Sequence, residues 1–399
     1  MSQLGADERE FRDRVSMIQN HLVQRGFGAA LVYSEPWGHY WGQIGHIGYL
    51  SNWASRDRNV HSLLVITQQG DPVLIFAGLS YMRRVLERVS WIRDVRMVVP
   101  VDPRAAALPH GQTDFGSELK SVLAERGCQD SKIALMGATQ IPLGLWRVLT
   151  ASLPQTAFDD SIDLVAELRC LKSPYEVDML RRACELCDMG YETLVKTARP
   201  GMRGYEVVAE MERTVRFRGA DFVKYWFISG PSQGWKDTWP IVSPHQRVLE
   251  QGDQIICGSY VVFQGYWAHG MRTGTIGTSE QHGGYMPAAT AVHRAAIAAL
   301  RSANEVSDVV RAAQQAANLH GFALNSPRIG HGIGMDYAEK PFLTDTNREV
   351  LQPGMVAVIH CQLTLPDTGE FIVPLGDVCL VTENGAEMLN RFPVESFRI

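Results

Sequence analysis

The sequence predicts an α+β protein of two domains, an N-terminal α/β domain over residues 1–160 and a larger α+β domain over residues 161–399. Three observations predict it. The 399 residues are many for one hydrophobic core and suit two domains of roughly 150 to 250 residues. Through the first part, helix-spaced and strand-like apolar runs alternate. The second part carries a faint internal repeat, in which "YEVVAEMERTVRFRGADF" aligns with "SDVVRAAQQAANLHGFAL" at a constant interval.

The elements follow in order. "EFRDRVSMIQNHLVQRG" has apolar residues at helical spacing and stops at Gly26. "AALVYS", "SLLVITQ" and "PVLIFAG" are short apolar runs of buried-strand type. After "SKIALMG" and "LWRVLTASLP" the pattern pauses at "FDDSIDLV", and the domain boundary is placed there, near residue 160. Ser173 then caps a helix with Pro174 at its first position and Glu176 three residues on, a capping box; the helix runs to about Ala198. In the repeat, Val207 matches Val309, Val208 matches Val310 and Gly219 matches Gly321. Each copy reads as a helix ended by glycine and followed by strands, which implies two similar halves about a pseudo-twofold. The cleft between such halves is a natural ligand site.

Composition narrows the function. The chain is 45% hydrophobic and 20% charged with a net charge of −5. That balance gives no reason to expect nucleic acid or an anionic membrane as partner, and a small-molecule substrate is expected instead. The opening "MSQLGADEREFRDRV" is too polar for a secretory signal. No apolar run approaches the about 20 residues that span a bilayer. The seven cysteines (128, 170, 184, 187, 257, 361, 379) are an odd number without scaffold spacing. Cys184 and Cys187 form a lone CxxC inside a helical pattern, so reduced thiols and a cytoplasmic setting are expected rather than a zinc knuckle.

"LRCLKSPYEVDMLRRA", "LEQGDQIICGSYVVFQGYWAHGMRTG", "RIGHGIGMDYAEKPFL", "LQPGMVAVIHCQLTLPDTG" and "GDVCLVTENGAEMLNRFP" stand in this order over most of residues 165 to 395. In them the chain resembles the creatinase/aminopeptidase P/methionine aminopeptidase family, the pita-bread metallohydrolases. The resemblance implies a pita-bread C-terminal domain behind a creatinase-like N-terminal α/β domain. It also implies a homodimer in which "YLSNWASRDRN" reaches towards the partner's site, with Trp53 to Arg58 near it. Arg56 or Arg58 could there hold a substrate carboxylate.

Members with metal hold two ions on two aspartates, one histidine and two glutamates. Carried over position by position, those five places are Gly258, His269, His331, His360 and Gly376. Two carboxylates have become glycine, and histidine stands at the other three places. A lone histidine on a half-buried strand is ordinarily a core residue bonded to a backbone carbonyl. Three at ligand positions suit one divalent transition metal with open coordination positions, iron or zinc first and manganese also. The alternative is a metal-free pocket, as in creatinase, with the histidines as hydrogen-bonding or acid/base groups.

The creatinase histidine before the "GD" strand has its place near Trp239 to Val242, where only His245 is close and it is out of register. Acid/base candidates are therefore His245, Asp336, Glu339 and Asp377, although carboxylates after a glycine loop commonly cap backbone amides. Trp235, Trp239, Tyr260 and Trp267 are expected to wall the substrate site, with Tyr225 and Trp226 nearby. With a zinc-like ion the site would hydrolyse a C–N bond of a small non-peptide substrate. With iron(II) it would suit a non-haem oxygenase acting on a small aromatic or amine. A metal-free hydrolase or a degenerate binding protein completes the alternatives.

Overall fold

The computed structural model describes residues 8–34, 45–53, 61–78, 80–101, 113–231, 246–278, 280–367 and 371–399. The chain divides into two compact units, Met1–Leu168 and Arg169–Ile399. The division falls beyond the pause at residue 160 because Asp163 is tied into the first unit. Its carboxylate accepts from the Gly137 amide at 3.0 Å, hydrogen-bonds His46 at 2.9 Å and caps the next helix through the Ala166 amide. Among the described residues, no helix is long and apolar enough to cross a membrane.

The first unit is built on a six-stranded sheet. Its strands are β1 (Ala29–Tyr33), β2 (Ser62–Thr67), β3 (Val73–Phe76), β4 (Asp94–Met97), β5 (Ile133–Met136) and β6 (Phe158–Asp159), in the order β4-β3-β2-β1-β5-β6. The apolar runs that predicted β1, β2 and β3 are buried throughout, which is why they show no alternation. Trp53 is a core residue here. It is 6% exposed and packs edge-on against Phe76. Arg56 and Arg58 lie outside the described residues.

The second unit carries β7 (Phe222–Gly230), β8 (Gln254–Phe263), β9 (Tyr266–Thr275), β10 (Ala323–Leu324), β11 (Arg328–Gly332), β12 (Glu339–Thr344), β13 (Val356–Thr364), β14 (Phe371–Thr382), β15 (Gly385–Met388) and β16 (Phe397–Arg398). The main path is β12-β11-β13-β14-β9-β8-β7. The helix Pro174–Thr197 opens on the expected capping box. Ser173 Oγ accepts from the Glu176 amide and Glu176 accepts from the Ser173 amide; Ala198 is the C-cap.

The repeat is a structural one. Helices Gly204–Phe217 and Val306–Leu319 have equal lengths, and each is followed by a glycine at positive φ, Gly219 at +97° and Gly321 at +77°. Only glycine adopts that conformation without a Cβ clash, so it ends both helices at the same point. The bridges Arg203–Val248 and Glu305–Val350 keep the same interval. The two halves join where β9 meets β14, through Gly376 opposite Met271.

Candidate active site: a histidine cluster where the two halves join

The three histidines come from both halves. His269 sits mid-β9 opposite Tyr260 of β8, His331 lies on β11 and His360 on β13. Their rings gather, with centroids 5.9 Å apart for His269 and His360 and 5.2 Å for His331 and His360. Each ring is fixed through its backbone side. Nδ1 of His269 hydrogen-bonds the Ser259 carbonyl at 2.7 Å, and Nδ1 of His331 the Gly332 carbonyl at 2.9 Å. A carbonyl only accepts, so both Nδ1 atoms carry the proton and both Nε2 atoms are left as lone-pair donors. His360 interacts with its own backbone, and its buried Nε2 has no partner among the described residues.

Burial in this dry cluster drives the imidazoles neutral. It pushes His269 down to about 3 and His331 to about 4; His360, pressed further by its two histidine neighbours, lies well below the ordinary value. Tyr260 stacks on His269 at 4.9 Å and 16°. Behind it, the Ser259 hydroxyl is held by Cys187 and Tyr191, which immobilises the strand that receives the His269 proton.

The family's two-ion carboxylate centre does not fit this chain. Glycine at 258 and 376 does not leave open space where the carboxylates would stand. A Cβ on Gly258 would lie 2.0 Å from Cε2 of Trp226, whose indole crosses from the neighbouring strand to cover the glycine. At Gly376, Met271 and the His360 Cβ stand at 3.1 and 3.3 Å. Restoring the carboxylate with Gly258→Asp should therefore destabilise the fold by about 1–3 kcal/mol through overpacking. A urea midpoint unchanged from the parent protein would contradict this.

The single-ion site expected of the three histidines, in which imidazole nitrogens stand about 2.0–2.2 Å from the metal, is not formed as such either. Among the described residues, no three His, Cys, Asp or Glu side chains are disposed to hold one ion. Tyr337 stands edge-on to His331 at 4.8 Å and to His269 at 5.4 Å, and so occupies space against both. The donor type still suits a single transition metal, because an uncharged imidazole binds such an ion through its ring lone pair.

The carboxylate candidates are engaged elsewhere. Asp336 pairs with Arg169 at 2.8 Å, and Glu339 with Arg169 at 2.5 Å and Lys172 at 2.7 Å, all four side chains being buried. Asp377 lies between Arg272 at 2.5 Å and His293 at 2.8 Å, and all three are fully buried. Burial pushes Asp377 up, yet the Arg272 charge and His293 hold it below the usual carboxylate range. These three tie strands and helices together; none is free to exchange protons with a substrate.

Of the expected walls, Tyr260 belongs to the cluster. Trp267 is a core residue, 0% exposed between Phe222 and Tyr337. Trp235, Trp239 and His245 lie outside the described residues. A cavity of about 140 Å³ opens at His360, lined also by Ser326, Arg328, Ile329 and Gln362. Sequence reasoning passed over Tyr337, Arg328 and Gln362. The period of a strand puts His360 and Gln362 on one face, which would have found the last of them.

The profile of metallopeptidase family M24 matches residues 178–383, more than half of the chain. This chain belongs to family M24. Its M24 relatives include the creatinase of Bacillus sp. (strain B-0618), 23% identical across 97% of this chain and 92% of that protein. The Xaa-Pro dipeptidase of Pyrococcus furiosus is 27% identical over 57% of this chain, and the match spans 65% of that dipeptidase's length. In fold, the recombinant prolidase from Thermococcus sibiricus superposes with a TM-score of 0.81 at 20% identity, over 99% of this chain and 100% of that one. The pita-bread domain behind an N-terminal α/β domain is thus the fold of the M24 relatives.

Proposed function

We propose that this chain hydrolyses a C–N bond of a small non-peptide substrate, through one divalent transition ion held by Nε2 of His269, His331 and His360. Iron or zinc heads the choice, with manganese next. The observation that carries the reading is the state of the imidazoles: neutral, anchored through Nδ1 at His269 and His331, and at His360 buried with an unpartnered Nε2. A group whose pKa lies far below neutral is a poor general base, whereas the same lone pair is a good metal donor. When bound, such an ion supplies Lewis acidity and an acidified water. Tyr260 and Ser259 orient His269, and His360 faces the cavity that admits substrate.

Elemental analysis of protein purified without added metal tests this. The expected result is one transition ion per chain, lost in His360→Ala while the far-ultraviolet circular dichroism is kept. Iron with substrate-dependent oxygen uptake would replace hydrolysis by oxygenation. The second reading, a metal-free hydrolase, draws on the cluster not closing on one point among the described residues. It would be favoured by turnover in metal-free protein.

A further inference from the structure

Four rings rather than three make up the cluster. His360 meets His269 and His331, and Tyr337 meets the same two, at 5.4 Å from His269 and 4.8 Å from His331. All four contacts are edge-on, an arrangement that aromatic rings favour. They close a circuit in which Tyr337 and His360 take opposite corners. The two corners differ in setting. His360 lines the cavity. Tyr337 is partly exposed, whereas the two imidazoles that it touches, His269 and His331, are 2% and 1% exposed. Tyr337 thus stands between solvent and those two rings.

The chain holds Tyr337 in this place from several directions. Its phenol hydrogen-bonds Tyr260, the ring stacked on His269. Asp336 just before it pairs with Arg169, and Glu339 two residues on pairs with Arg169 and Lys172. The Gly334 carbonyl accepts from the Trp267 amide at 2.8 Å, which ties the start of the loop to β9. Gly334 makes room for the ionic clamp, since a Cβ there would lie 2.4 Å from Glu339 Oε1 and 3.2 Å from Lys172 Cε. The cations are anchored in turn. The Lys172 amide donates to the Gly354 carbonyl at 2.9 Å and Leu171 bridges Met355, immediately before the strand that carries His360. One frame therefore carries both corners of the circuit.

We propose that Tyr337 is a specificity-determining residue of this site: it closes the cluster on the side away from His360, so that a ligand meets the ring nitrogens of His269 and His331 only by way of His360. Arg169 is its positioning residue, acting through Asp336 and Glu339. The proposal rests on the hydrolase reading for what is done at the site, whereas the wall itself can be tested without metal or turnover.

The test is acylation of the full-length protein, dialysed against a chelator, by diethyl pyrocarbonate. This reagent places an ethoxycarbonyl group on an unprotonated imidazole nitrogen, and peptide mass spectrometry reads each histidine separately. In the parent protein His360 should react ahead of His269 and His331. Tyr337→Ala should speed His269 and His331 about tenfold as local protection is lost. Tyr337→Phe keeps the ring and should leave the pattern unchanged. Arg169→Gln should reproduce the alanine pattern, and Arg169→Lys should restore the parent one. His293, fully buried against Asp377, reports general loosening and should stay protected throughout. One rate for all three cluster histidines in the parent protein, or unchanged labelling of His269 and His331 in Tyr337→Ala, would overturn the proposal. Should the alanine variant not fold, Tyr337→Leu takes its place, and the order of reaction in the parent protein still decides. His293 rising together with the cluster in Arg169→Gln would overturn the positioning role of Arg169. The expected labelling in a protein that binds no ion and turns nothing over leaves the wall standing and removes the hydrolase reading alone. Turnover and bound metal with indifferent labelling do the reverse.

Discussion

Asp377→Ala should cost the C-terminal unit about 3–5 kcal/mol, the penalty for removing one partner of a buried ion pair. Arg272 is fully buried. Its guanidinium donates to the Met271, Gly376 and Phe392 carbonyls, but among the described residues only Asp377 supplies a negative charge at bonding distance. Removing that carboxylate leaves the Arg272 charge uncompensated and the His293 Nε2 without its partner. The damage should be local to the seam, since Arg272 lies on β9 and Asp377 on β14. Hydrogen exchange of β9 and β14 amides reads it directly. A loss under about 1 kcal/mol, the size of a surface pair, would show that the network is not what holds the two halves together.

Metal-stripped protein should lose stability steeply as the pH falls from 6.5 to 5. The sign follows from the direction in which burial moves His269 and His331. Burial takes His269 from 6.5 to about 3 and His331 from 6.5 to about 4. The unfolded chain therefore binds protons that the folded one refuses. Stability is full above pH 6.5 and falls as pH drops towards the folded values. Each group contributes about 1.4 kcal/mol per pH unit inside that window, so the pair amounts to about 4 kcal/mol by pH 5. Carboxylates held by cations titrate lower and do not confuse the window. Asp188, raised by burial, works in the opposite direction. Urea midpoints measured every half pH unit decide the matter, and His331→Gln should remove about one proton from the slope. A flat profile between pH 5 and 6.5 would mean that the cluster is wetter, or its imidazoles better partnered, than the structure has them.

The sequence by itself determined those features that depend on short stretches of chain. The Ser173 capping box, the glycines that end the two repeat helices and the unbroken apolar runs of β1 to β3 all act within a few residues. Each is therefore legible without knowing what lies across the fold. Positions 258, 269, 331, 360 and 376 could be singled out for another reason, since they stand in motifs of fixed spacing. What those positions face was decided only by tertiary structure. Nothing local to Gly258 announces that Trp226 lies over it, because the two meet only when β7 pairs with β8. Arg169 and Glu339 stand 170 residues apart, and Arg272 and Asp377 meet only where the two halves join. A carboxylate read alone looks available for chemistry. Whether a buried cation already holds it depends on long-range packing, and here that packing turned three acid/base candidates into structural ties.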